Sequence, residues 1–129
     1  MYKHSDLTRK IIGIAMKVHR EIGPGFQEKI YHRAMEIALI KENLLFESEK
    51  EFNVCFQNDW VGTFRVDLFV EYKIIVELKA VCGEMKKLFL TQTISYLKAS
   101  NMEVGLLLNF GNRDLEVKRL AHYKDYLSK

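Results

Sequence analysis

Asp67, Glu77 and Lys79 are the residues of this chain best suited by type and spacing to do chemistry. They fall in Arg65-Val66-Asp67 and Val76-Glu77-Leu78-Lys79, two stretches that read as consecutive strands. A strand sends residues i and i+2 to one face. Glu77 and Lys79 therefore point together, while Val76, Leu78 and Ala80 point the other way. Two carboxylates and an ammonium at one sheet edge are costly to bury unpaired, and the natural partner is a divalent cation. Mg2+, or Mn2+ in its place, takes hard oxygen ligands and keeps several waters. Asp67 and Glu77 would supply two carboxylates and the backbone carbonyl of Leu78 a third oxygen. An ion held there polarises a phosphoryl oxygen and lowers the pKa of a bound water. Lys79 would orient that water or offset charge developing on the phosphate. The plainer reading is a cross-strand ion pair between Asp67 and Lys79, worth a few tenths of a kcal/mol.

Three further residues fit the same chemistry. Glu28 would reach the metal or its water shell as an outer ligand; as an ordinary surface residue, it would simply favour the first turn of a helix. Gln92 would hold a water or a substrate phosphate. Tyr96, one turn on, would orient Gln92 or touch the substrate. His4, His19, His32 and His122 are scattered, and surface or core roles are expected for all four. No glycine-rich phosphate loop is present, and no serine has a nucleophile-elbow setting.

The elements that must position these residues follow from periodicity. Leu7, Ile11, Ile14, Val18 and Ile22 mark one face of a first helix, capped by Ser5-Asp6 and stopped at Gly23. A second helix is predicted from about Pro24 to Glu42, with Phe26, Ile30, Ala34, Ile37 and Ala38 as its apolar face. Glu28, Tyr31 and Met35 form an adjacent stripe. Three strands follow as a meander, turning at Gln57-Asn58-Asp59 and at Glu71-Tyr72-Lys73. In the middle strand, Phe64, Val66, Leu68 and Val70 are assigned one face. Thr63, Arg65, Asp67 and Phe69 are assigned the other. A third helix runs from about Glu84 to Ser100. The apolar run Glu103–Phe110 suits a strand buried on both faces and reached by a helical crossover. Leu115–Leu120 alternates as an edge strand. This order describes a mixed α/β (α+β) domain, its sheet flanked by helices.

The chain has 129 residues, 48% of them hydrophobic, which fits one compact domain over residues 1–129. The N-terminal residues lack the apolar stretch of a secretory signal. No apolar run approaches the ~18 residues of a membrane span. Cys55 and Cys82 lack a metal-binding spacing and read as reduced thiols, so a cytoplasmic protein without membrane association is expected. The net charge of +3 tolerates a nucleic-acid partner without demanding one.

Gly25-Phe26-Gln27-Glu28-Lys29-Ile30-Tyr31 carries a G-x-x-E-x-x-Y signature. With Val18–Pro24, Arg65–Leu68, Val76–Ala80, Gln92-x-x-x-Tyr96-Leu97 and Gly105–Gly111, it resembles the GxxExxY protein family over nearly the whole chain. That family is placed in the PD-(D/E)XK nuclease-like superfamily. The resemblance implies an αβββαβ core and assigns the metal-binding and catalytic set to Asp67, Glu77 and Lys79, with Val66 where the superfamily has proline. The Gln92…Tyr96 pair resembles a motif of RecB-type and lambda-exonuclease-type members. The full expected site is thus Asp67, Glu77, Lys79, Glu28 and Gln92 as catalytic residues. Asp67, Glu77, Glu28 and the Leu78 carbonyl would hold the metal, and Tyr96 and Tyr31 would contact substrate. The expected function is a metal-dependent nuclease acting on DNA ahead of RNA. The alternative is a non-catalytic nucleic-acid- or protein-binding module on the same scaffold. For a domain this small, a homodimer or a protein partner is a further expectation.

Overall fold

The computed structural model describes residues 3–123. Residues 124–129, within the polar and aromatic tail, lie outside the described part. The elements are α1 (Ser5–Ile22), α2 (Glu28–Lys41), β1 (Phe46–Phe56), β2 (Asp59–Val70), β3 (Ile74–Lys79), α3 (Lys87–Ser100), β4 (Val104–Asn109) and β5 (Glu116–Ala121). The strands form one mixed sheet in the order β1-β2-β3-β4-β5. Only β3 and β4 pair in parallel, joined by the α3 crossover. Among the described residues, no helix is long and apolar enough to cross a membrane.

Two cores sandwich the sheet. On one face, Ile11, Ile14 and Val18 of α1 and Tyr31, Met35 and Leu39 of α2 pack on Leu68, Val70, Ile74, Val76, Leu78, Leu106 and Leu108. On the other face, Leu97 of α3 packs on Val66, Phe69 and Ile75, with Phe52, Phe64 and Tyr96 at its margin. Gly105 is placed for this second core, because a Cβ there would press against Leu97 and Thr93 of α3. The β1–β2 turn is tighter than expected. Gln57 and Asn58 alone form the loop, both at positive φ, closed by the Phe56–Asp59 pair, as a two-residue hairpin with matched twist requires.

Several expected boundaries and faces shift. His4, not Ser5-Asp6, takes the N-cap position of α1. α2 begins at Glu28 rather than Pro24, and residues 24–26 bend outside the helix. The cause is Tyr31. Its hydroxyl donates to the Gly23 carbonyl at 2.6 Å and accepts from the Phe26 amide at 3.2 Å, while its ring stacks on Phe110 at 4.8 Å between centroids. These bonds hold the 23–26 corner and turn α2 so that Tyr31, Met35 and Leu39 face inward. Phe26, Ile30 and Ile37, expected on the buried face, are exposed. α3 begins at Lys87, three residues later than expected.

The largest departure lies in β2. Phe64, Val66 and Phe69 join the α3 core, while Leu68 and Val70 join the α1/α2 core. The alternation slips by one residue at Asp67. The β1–β2 register runs from Phe46↔Val70 to Ser48↔Leu68, omits Glu49 and Asp67, and resumes at Lys50↔Val66. Glu49 sits at φ 55, a left-handed conformation in mid-strand, which rotates the strand and ends the simple two-residue period.

Beyond Lys79, the chain is held by a buried asparagine. Asn109 Oδ1 accepts from the amides of Val81 at 2.9 Å and Gly111 at 3.0 Å, and its Nδ2 donates to the Val81 carbonyl at 3.0 Å. Asn109→Ala would leave both Val81 groups unpaired next to the end of β3. A loss of about 2–4 kcal/mol is expected, from two unmet backbone groups and a cavity, read as a lower urea midpoint at an unchanged slope.

Candidate metal centre

β2 and β3 pair only at Leu68↔Val76, Phe69↔Ile75 and Val70↔Ile74. Beyond Leu68 the ladder opens, and side chains replace it. Glu77 Oε2 accepts from the Asp67 amide at 2.7 Å, and Asp67 Oδ2 accepts from the Leu78 amide at 2.7 Å. Each carboxylate thus satisfies a backbone donor that the parted strands would otherwise orphan. The Lys79 carbonyl accepts from Phe110 on the β4 side. Successive strand residues face opposite edges, and a residue's N–H and C=O leave by the same edge. The Leu78 carbonyl therefore faces the gap with its amide. Asp67, Glu77 and the Leu78 carbonyl meet where the sheet parts.

The gap is electrostatically costly without a cation. Glu77 is 6% exposed; burial, and then the Asp67 charge, push its carboxyl up to about 8. Burial also raises Asp67, against the pull of the Leu78 amide, His32 and Lys79. Glu28, the first residue of α2, is raised by burial and by Asp67, and pulled down by Lys79 and His32. Tyr96 is raised by burial and then by Glu77 and Asp67. Lys79 draws the carboxyls down through space but is not bonded to them. Among the described residues no ion pair joins it to either carboxylate, and its ammonium lies 4.4 Å from the Phe89 ring centroid on α3. The cross-strand Asp67–Lys79 pair is therefore absent.

The donor set fits a divalent cation. One oxygen of Asp67 and one of Glu77 carry the backbone bonds, and among the described residues no hydrogen bond reaches the other oxygen of either. Two carboxyl groups and a backbone carbonyl at one gap offer the hard oxygen donors that Mg2+ or Mn2+ takes.

The other expected residues divide. Tyr96 stands at the site's edge, its ring stacked on Phe64 at 4.4 Å between centroids. Gln92 is exposed on α3, one turn before Tyr96. Tyr31 is withdrawn from substrate contact. It is fully buried, with its hydroxyl spent on the 23–26 corner, and it supports Glu28 only by setting where α2 begins. His32 and Glu49 are brought in instead. With Asp67, they place one donor atom each within 4.8 Å of one another. His32, for which a surface or core role was expected, is half-buried beside these two carboxylates. The signal was available in part: His32 lies four residues after Glu28 and so shares its helix face. Glu49 faces Asp67 only through the hairpin register, and its left-handed backbone has no sequence mark.

A family model described as the PD-(D/E)XK nuclease superfamily matches residues 5–120. The crystal structure of SSO0001 is similar in fold, with a TM-score of 0.58 and 20% identity over 75% of this chain. This chain spans only 50% of that one. No curated protein matches.

Glu77 ties stability to pH. Its carboxyl titrates near 4.5 unfolded and about 8 folded, so between those values the native state holds a proton that the unfolded state has lost. Stability is then full below pH 4.5 and falls as pH rises through 8. In metal-free buffer, melting temperature should drop by several degrees between pH 5 and pH 8.5. Glu77→Gln, which cannot ionise, should flatten that slope in calorimetric scans.

Proposed function

The chain belongs to the PD-(D/E)XK nuclease superfamily, and from that premise we propose that it is a divalent-metal-dependent phosphodiesterase acting on nucleic acid, DNA ahead of RNA. One observation carries the reading. The β2–β3 ladder is broken to seat Asp67 and Glu77, each bound to one backbone amide and no ammonium. A structural ion pair would have needed no such gap.

Asp67, Glu77 and the Leu78 carbonyl would hold the ion. When bound, a divalent cation lowers the pKa of a coordinated water and neutralises charge on the scissile phosphate. Lys79, cushioned on Phe89, keeps its ammonium beside the gap without quenching the carboxylates. There it can orient the attacking water and offset negative charge on the phosphate. Glu28 stands at the rim, where its raised proton affinity suits it to accept a proton from that water. Gln92 is exposed one helical turn from Tyr96 and can hydrogen-bond a phosphate. Tyr96, fixed on Phe64, offers its hydroxyl to the backbone of the nucleic acid.

A second reading, a binding module without turnover, draws on the same seat of Lys79. In that reading the Phe89 ring, and not a reacting phosphate, is what the ammonium serves. Cleavage assays on single- and double-stranded DNA and RNA with Mg2+ or Mn2+ separate the two. Asp67→Ala and Lys79→Ala should each lower the rate on the order of 100-fold or more, and a chelator should abolish it. Equal activity in wild type and both variants would mark a contaminant and remove the proposal. Salt-sensitive binding with no cleavage would select the module.

A further inference from the structure

α2 is apolar on two faces, and the core uses only one of them. Tyr31, Met35 and Leu39 are fully buried. Ile30, Ile37 and Ile40 stay 41%, 40% and 59% exposed, and Phe26, in the corner before them, 52%. Ile30 and Ile37 lie two helical turns apart with Ala34 between them, so they form a stripe along one side of the helix. A helix that is apolar all round is one that is covered all round. The Tyr31 corner, which turns α2 inward, leaves this second stripe without a cover.

The stripe borders a groove. Ile14, Val18 and Ile22 of α1 line it from one side and Ala34, Ile37 and Ala38 of α2 from the other. Its volume of about 260 Å3 falls below the ~300–1,000 Å3 of small-molecule pockets, so it has room for apolar side chains of another surface and not for a cofactor. Four charged residues rim it, Lys17 and Glu21 on α1 and Lys41 and Glu42 at the end of α2, and all four are exposed. Among the described residues none of the four enters an ion pair within the chain, although Lys17 and Glu21 are only one helical turn apart. An apolar patch inside a charged rim marks a place where another surface docks.

The rim charges select the occupant. Two lysines and two glutamates cancel, which suits neither the phosphates of a nucleic acid nor an anionic lipid surface, since both call for a cationic rim. They suit a surface that carries the same pattern. In an isologous pair one patch meets itself. With the two-fold axis laid across the groove, the two α1 helices run antiparallel, and Lys17 of each copy meets Glu21 of the other.

We propose that the α1/α2 groove, with the stripe of Ile30 and Ile37, is the interface of a homodimer closed by reciprocal Lys17–Glu21 pairs over an apolar floor. The interface uses no residue of the Asp67–Glu77 gap, so the inference is independent of the metal-dependent reading above.

Sedimentation velocity of the full chain over a range of about 1–100 μM tests it, and wild type should pass from monomer to dimer. Ile37→Glu, at an exposed position inside the patch, should raise the dissociation constant about tenfold or more. Lys17→Glu should do the same by setting like charges opposite one another, and Lys17→Glu combined with Glu21→Lys should restore association. Circular dichroism melts at the lowest concentration, where every variant is monomeric, should superpose, which separates lost association from lost folding. A wild type that stays monomeric throughout would overturn the proposal, and co-sedimentation of that monomer with phosphatidylglycerol vesicles would give the groove to a membrane instead. A dimer indifferent to Ile37→Glu or to Lys17→Glu would overturn it as well.

Discussion

The structure turns on two carboxylates placed where a β-ladder should be. Asp67 and Glu77 each take the amide that the neighbouring strand would have bonded, so the sheet parts without leaving either donor unmet. Two like charges in a nearly buried gap repel, and burial disfavours both ionised forms. Protonation of Glu77 or an added cation relieves the strain. At neutral pH, a bound cation would do so with both carboxylates ionised. That trade between stability and binding is the physical core of the site.

The remainder of the fold holds this gap at a set width. Below it, Leu68, Val76 and their neighbours are fully buried and keep β2 and β3 paired. Beside it, the parallel β3–β4 ladder runs through Glu77, Leu78 and Lys79, so β3 does not drift when β2 parts from it. Beyond it, Asn109 binds both backbone groups of Val81. Tyr31 acts at longer range, fixing the corner before α2 and hence the rotation that sets Glu28 and His32 on the side of the gap.

The two faces of the sheet contribute differently. Lys79 and Tyr96 rest on aromatic rings, Phe89 and Phe64 respectively, which leaves the ammonium and the hydroxyl available. On the α2 side, beside the apolar core, a polar network runs from Arg33 and Ser48 through Glu36 to His32. An apolar cradle for a cationic side chain and a hydrogen-bonded cradle for an imidazole are different environments. They meet at Asp67.

Much of this was legible from residue order. Strand alternation placed Glu77 and Lys79 together. The apolar run through Leu106–Leu108 marked the buried parallel strand, and helical spacing found the buried face of α1. These signals are local, set by backbone periods of two and 3.6 residues, and a local period survives in any fold that uses the element. What the sequence did not carry were departures from those periods. The phase slip at Asp67, the left-handed Glu49 and the rotation of α2 that buries Tyr31 and exposes Ile30 each arise from contacts between residues far apart in the chain. Asp67 with Glu77 and Lys79 could be read as a candidate centre because their chemistry is written in residue type. His32 and Glu49 joined it only when the hairpin register and the Tyr31 corner brought three elements to one point, and that convergence exists only in three dimensions.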